Sequence, residues 1–252
     1  MLRKFVLATL MGVKQFLRTP LFLVLMVILP IVFIIGAFLR TPDAAFAVSV
    51  PEGALRQPLA VGMIDLHGAV MVPMTVAFMT GMAGLFVMLG ARQGDHRLVV
   101  AGYSPEMLLG VRLLLITGVG LLITAVSVGV TLLFFRPEQL GLFFAVNLIQ
   151  ALQYGFLGAI AGTFLSSISG TYLMFFTPMI DVGIIQNPMF GRESVDLWAK
   201  MLPGYLPTEA LMDVSFSPRF DSAATLALAL GYLLATGLVA AILFRRVMKL
   251  RR

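Results

Sequence analysis

Six stretches of almost unbroken apolar sequence divide this chain, near Leu21–Leu39, Ala69–Gly90, Leu108–Phe135, Leu140–Leu165, Thr171–Ile185 and Ala223–Phe244. A helix rises about 1.5 Å per residue, so roughly 20 apolar residues cross a hydrocarbon core about 30 Å thick. Most of the six reach that length. Only 12% of the residues are charged, too few to cover the surface of a soluble domain of this size, and few charges fall inside the stretches. A spanning segment must satisfy its own backbone polar groups, which leaves helices or closed barrels. Barrel strands alternate apolar and polar residues over about ten positions, whereas Leu21–Leu39 is continuously apolar. The sequence predicts an all-α integral membrane protein with six transmembrane helices, a single transmembrane domain over residues 1–252.

The net charge of +6 is unevenly distributed. With the N-terminus placed in the cytoplasm, the cytoplasmic side holds twelve basic residues, Arg112 and Arg245 among them, against two acids, Asp95 and Glu106. The opposite side holds six basic and ten acidic residues. Basic residues are retained in the cytoplasm, so both termini are expected there. The tail Arg245–Arg252 reads as an anchor beside anionic membrane lipid, and no nucleic acid partner is expected. The chain has no cysteine, which removes disulfides and Cys-based metal sites.

Residues 2–18 precede the first span. At about 100° per residue, Arg3, Lys4, Lys14 and Arg18 share one side of a helix, with Leu2, Phe5, Val6, Val13 and Phe16 opposite. That pattern suits an amphipathic helix lying in the membrane interface; a cytoplasmic extension of the first span is the alternative. Arg40–Gly68, interrupted by Pro42, Pro51 and Pro58, is expected to form a small irregular external lid. The run Arg92-Gln93-Gly94-Asp95-His96-Arg97 is the most polar internal stretch. Beyond it, Ser104-Pro105-Glu106 is a helix start: a capping hydroxyl, a fixed φ, and an acid at the positive end of the dipole. A short separate element is expected immediately before it. Spans three and four should meet in a tight external hairpin around Arg136-Pro137-Glu138. From residue 186 to 221, apolar patches alternate with Pro188, Pro203, Pro207 and Pro218, a pattern that suits re-entrant half-helices before the last span.

Catalytic signatures are missing. The sequence contains no G-x-x-x-x-G-K-[ST] phosphate loop, no H-E-x-x-H and no G-x-S-x-G. His67 and His96 are expected on opposite sides of the membrane, so they do not share a metal. The chain is expected to be no enzyme and to bind no cofactor itself. Span four carries Asn147, Gln150 and Tyr154 at i, i+3 and i+7, with Gln153 beside them. Polar side chains on one face of a membrane helix meet a neighbouring helix or an aqueous path. These four form a candidate substrate path, or alternatively a set of interhelical hydrogen bonds. Asp181 is the one acid placed inside the membrane boundary and joins that set, since an ionisable group at such depth points to function; hydration near the external end is its alternative. Gly158 and Gly162 have the spacing of a close helix contact.

The order of these features resembles the type-2 permease family of ATP-binding-cassette exporters. The resemblance rests on the amphipathic entry helix, on Arg92-Gln93-Gly94-Asp95-His96-Arg97-Leu98 followed by Gly102-Tyr103-Ser104-Pro105-Glu106, and on Asn187-Pro188 through Trp198 to Leu202-Pro203-Gly204-Tyr205-Leu206-Pro207. The chain departs from the family with Gly94-Asp95 where Gly-Thr is usual, and in lacking a large external domain. The resemblance implies that residues 92–106 form a cytoplasmic coupling element. Its contacts with an ATPase subunit would fall on Arg92, Asp95, His96, Arg97, Tyr103, Ser104, Pro105 and Glu106. It implies a re-entrant hairpin over 186–221, a partner nucleotide-binding subunit holding ATP and Mg, and a second permease copy or homologue. It also implies a prokaryotic plasma (inner) membrane location and export of a small hydrophobic or amphipathic compound, with lipid-linked glycan as the alternative cargo. An ion-coupled secondary transporter is the rival class. It should show repeats and matched intramembrane acids in two halves, and a single acid in the second half does not fit that pattern.

Overall fold

The computed structural model describes residues 2–18, 20–52, 55–190 and 196–250. Arg251 and Arg252 of the basic tail, residues 191–195 of the expected re-entrant segment, and the side chains of Arg3, Lys4 and Lys249 lie outside the described residues. Most of the described residues are helical, and among them five helices are long and apolar enough to cross a membrane.

In chain order, α1 (Leu2–Leu17) and α2 (Pro20–Phe38) lead into two strands, β1 (Ala45–Glu52) and β2 (Leu55–Gly62). Then follow α3 (Met63–Val100), α4 (Pro105–Thr131), α5 (Leu140–Phe164) and α6 (Ser167–Ile180), which runs on as a π-helical turn (Asp181–Ile185). A short 3-10 turn (Pro188–Phe190), α7 (Leu197–Lys200), α8 (Tyr205–Phe216) and α9 (Ala223–Leu250) complete the described chain. The long apolar helices are α3, α4, α5, α6 with its π turn, and α9; α2 falls short of that length over its described side chains.

The helix α3 is the axis of the fold. Every residue from Gly68 to Ala77 is buried, which removes any face for lipid or water and fits a helix apolar on all sides. Neighbouring helices surround it, and the outward faces of α2, α6 and α9 expose Val32, Tyr172, Phe176, Leu234 and Leu238. An apolar exterior of this kind is what a hydrocarbon solvent selects. The closest packing is between α3 and α5. A Cβ on Gly84 would overlap the Gly155 carbonyl oxygen, and one on Gly158 would overlap the Gly81 carbonyl. The absence of a Cβ at Gly84 and Gly158 thus lets two backbones touch, with Gly162 continuing the contact against Leu85 and Met88.

Two expectations change here. The lid is a regular antiparallel hairpin, with Ala45 opposite Gly62 and Glu52 opposite Leu55. Its Phe46 and Val48 turn inward while Ala45 and Ala47 face out, the two-residue period of a strand, and Val48 and Val61 join the main core. The prolines are tolerated because each strand of a two-stranded ribbon has a free edge. The all-helical expectation is corrected by this one ribbon. Likewise, no separate element precedes α4: the polar run Arg92–Arg97 belongs to α3, which continues unbroken to Val100.

On one end of the bundle, here the basal end, lie α1, the end of α3, the start of α4 and the ends of α5 and α9. On the other, the crown, the α4–α5 turn docks on α8 through Glu138 N–H to Ser215 O at 3.2 Å and Gln139 N–H to Val214 O at 3.0 Å. Asp213 of α8 accepts the N–H groups of Asp221 and Ser222, both at 2.8 Å, just ahead of α9. That carboxylate fixes the chain as it enters the last helix, with its negative charge near the positive end of the helix dipole.

Candidate functional site

The basal tip is built by local rules. Gly102 takes φ +85°, the left-handed conformation open to glycine. Tyr103 N–H donates to Leu98 O at 3.0 Å and Gly102 N–H to Val99 O at 3.1 Å, the paired bonds of a Schellman closure. Ser104 then caps α4, its Oγ accepting from Met107 N–H at 3.3 Å, with Pro105 in the first turn and Glu106 beside it.

The eight residues expected at this tip divide by exposure. Arg97, Ser104 and Glu106 face outward, and Arg92, His96, Tyr103 and Pro105 are half-buried. Asp95 is only 1% exposed. The Arg92 Nη2 donates to Gly162 O at 2.8 Å and Leu165 O at 3.0 Å, which satisfies carbonyls at the end of α5. Glu106 pairs with Arg245 of α9 at 3.1 Å, both half exposed. Asp95 instead receives Arg112 of α4 in a two-point pair, Nη2 to Oδ1 at 2.6 Å and Nε to Oδ2 at 3.2 Å. Sequence reasoning counted Arg112 only as a cytoplasmic charge. The signal for its role was present: Asp95 and Arg112 lie almost equally far from the turn at Gly102–Tyr103, so antiparallel α3 and α4 bring them level.

At the crown side, Tyr154 and Asp181 meet. The Tyr154 hydroxyl donates to Asp181 Oδ2, Gly204 N–H donates to the same oxygen at 2.8 Å, and Gln186 Nε2 donates to Oδ1 at 3.1 Å. The same Gln186 nitrogen also reaches Ala199 O at 2.9 Å. Asp181 is 2% exposed, so it is buried rather than hydrated. Local sequence prepares the site: Pro178 removes a backbone donor from the helix, and the chain relaxes into the π turn that starts at Asp181. Gly204 is required by proximity, since a Cβ there would lie 2.9 Å from Asp181 Oδ1. Gln186 and Gly204 were not foreseen; their spacing of five and 23 residues from Asp181 carries no periodic signal.

The remaining path residues separate. Gln153 Nε2 donates across to Thr236 Oγ1 of α9 at 2.9 Å, and Asn147 Nδ2 donates back to Phe143 O of its own helix at 2.9 Å. The whole Gln150 amide and Asn147 Oδ1 are buried without a hydrogen-bond partner among the described residues, as are the hydroxyls of Thr75, Thr80, Thr124 and Ser127. Gly120 of α4 packs at the level of Thr80 of α3 and Ala151 of α5, so these groups line a polar seam between three apolar helices. Each such group, left dry, costs about 1–3 kcal/mol. Among the described residues, no three His, Cys, Asp or Glu side chains are grouped to hold a metal ion.

No protein-family model matches the sequence, and the curated proteins yield no significant match.

Proposed function

We propose that the chain is the membrane-spanning permease subunit of an ATP-driven ABC exporter. It crosses the membrane six times, α2 being the first span, with both termini in the cytoplasm of a prokaryotic cell and residues 186–221 forming the re-entrant segment. A separate ATPase subunit binds ATP and Mg at the basal tip, and a second permease copy completes the transporter. The cargo is a small hydrophobic or amphipathic compound. The observation that carries this reading is the tip itself: α3 projects past the last turn of α5, closes through Gly102 and presents Arg97, Val100 and Ser104 outward. A rigid, exposed, mixed apolar and basic turn between two spans is suited to receive force from a partner. The polar seam around Gln150 supports a route for cargo, since closely packed apolar helices have little other reason to bury unpaired amides.

Of the three acids buried among the described residues, Asp95 is bound to a cation and Asp181 is filled by three donors, so neither stands open to an exchanging ion. Asp213 holds two backbone N–H groups through Oδ2 while its Oδ1 has no partner among the described residues, so a gradient-driven mechanism would have to act there. The test is whether a neighbouring gene encodes a Walker-type ATPase and whether the two, co-expressed, form a complex with ATP-dependent transport in vesicles. Arg97→Glu combined with Val100→Asp is expected to abolish ATPase retention while leaving membrane insertion intact. Arg92 is a poorer choice for this purpose because it holds the end of α5. Transport that survives ATP depletion and collapses with the ion gradient overturns the reading.

A further inference from the structure

At the basal end a cleft runs beneath α1, between α3 and α4. Its two halves, about 340 Å³ and 300 Å³, share Gly12, Gln15 and Arg112. The first half is walled by Phe16, Phe86 and Leu115, and the second reaches Arg97. Arg112 is 7% exposed, and Asp95 takes its Nε and Nη2. Its Nη1 has no acceptor among the described residues. That nitrogen points toward α1, 3.1 Å from where a Cβ on Gly12 would stand. A guanidinium donor that opens onto an otherwise apolar chamber offers a site for an acceptor. The surroundings fix the sign of that acceptor: Asp95 neutralises Arg112, while Arg97 at the mouth and Lys14 and Arg18 on α1 are exposed cations. Outward from the cleft, α1 exposes Leu10, Met11 and Leu17, so the opening faces the medium that bathes an interfacial helix.

We propose that this cleft holds one anionic phospholipid, its phosphate received by Arg112 Nη1 and Arg97 and an acyl chain lying against Phe16, Phe86 and Leu115. The lipid would be the third wall of α1, which packs mainly on α4. The inference rests on the membrane setting alone; a chain that transports nothing would still hold the lipid.

The test is native mass spectrometry of the full-length protein titrated with phosphatidylglycerol or phosphatidylcholine of identical acyl chains. One phosphatidylglycerol is expected to bind about fivefold more tightly than phosphatidylcholine, since Asp95 neutralises Arg112 and Arg97 supplies the net charge at the mouth. Gly90→Leu fills the first half of the cleft from α3, where a Cβ meets only Gln15 Nε2 at 3.9 Å, and should remove that tight adduct. Gly94→Leu, at a position where a Cβ meets nothing within 4 Å, should do the same from the second half. Arg97→Gln should lower the preference about fivefold and leave phosphatidylcholine binding unchanged. Equal binding of the two lipids overturns the proposal, as does a tight adduct that persists in both filled variants. Displacement of the lipid by millimolar inorganic phosphate would assign the site to free phosphate and overturn it too.

Discussion

Two of the three buried carboxylates, Asp95 and Asp181, sit toward opposite ends of the bundle, and they are stabilised in different ways. Asp95 has one charged partner, Arg112, on the neighbouring helix. Asp181 has three neutral donors from three places in the chain: Tyr154 on α5, Gln186 after the π turn, and the backbone of Gly204 before α8. The first is a closed pair joining two regular helices already connected by a four-residue turn. The second is a node that gathers segments with little regular structure of their own. A pair can be exchanged as a unit for apolar groups, whereas a node cannot lose its centre without orphaning every spoke.

The largest effect should come from splitting the pair. Arg112→Met leaves Asp95 buried and uncompensated, and thermal unfolding should report a loss of about 3–5 kcal/mol. Adding Asp95→Leu should recover most of that loss, because well-packed apolar side chains commonly replace a buried ion pair at little cost. A double variant no more stable than the single one would show that Asp95 is not a closed pair. Next in size, Asp181→Ala strands three donors and should cost about 3 kcal/mol. Trp198 is the only tryptophan and lies one residue from the Ala199 carbonyl held by Gln186, so its emission should shift as α7 loosens. No second substitution should rescue this variant, since Gly204 N–H is backbone. The smallest change is Tyr154→Phe, which removes one spoke and should cost about 1 kcal/mol with Trp198 emission unchanged. A loss as large as that of Asp181→Ala would make Tyr154 the centre of the node.

The same contrast separates what was legible in the sequence from what was not. Ser104-Pro105-Glu106 announces the start of α4 because capping is a property of adjacent residues. Tyr154 and Asp181 are each conspicuous as polar groups in apolar sequence, but their meeting depends on how α6 unwinds after Pro178. The continuation of α3 to Val100 was hidden by its own charges: Arg92–Arg97 looks like a loop, yet arginine and glutamine are good helix formers. The β1–β2 ribbon was hidden by prolines, although the Phe46–Val48 alternation was there to be read. Arg112 shows the opposite lesson. A lone cation in the second turn of an apolar helix demands a partner, and turn symmetry names Asp95.

The unbroken run of α3 has a mechanical consequence. Thirty-eight helical residues at about 1.5 Å each form a rod roughly 57 Å long. Its midpoint falls at Gly81 and Met82, where the glycine contact with α5 brings the backbones together. A beam clamped on all sides from Gly68 to Ala77 and held against α5 below that is a cantilever. Sideways force on the Val100 tip would be taken up as bending at the α5 contact, with little motion reaching Met63 beneath the β1–β2 ribbon.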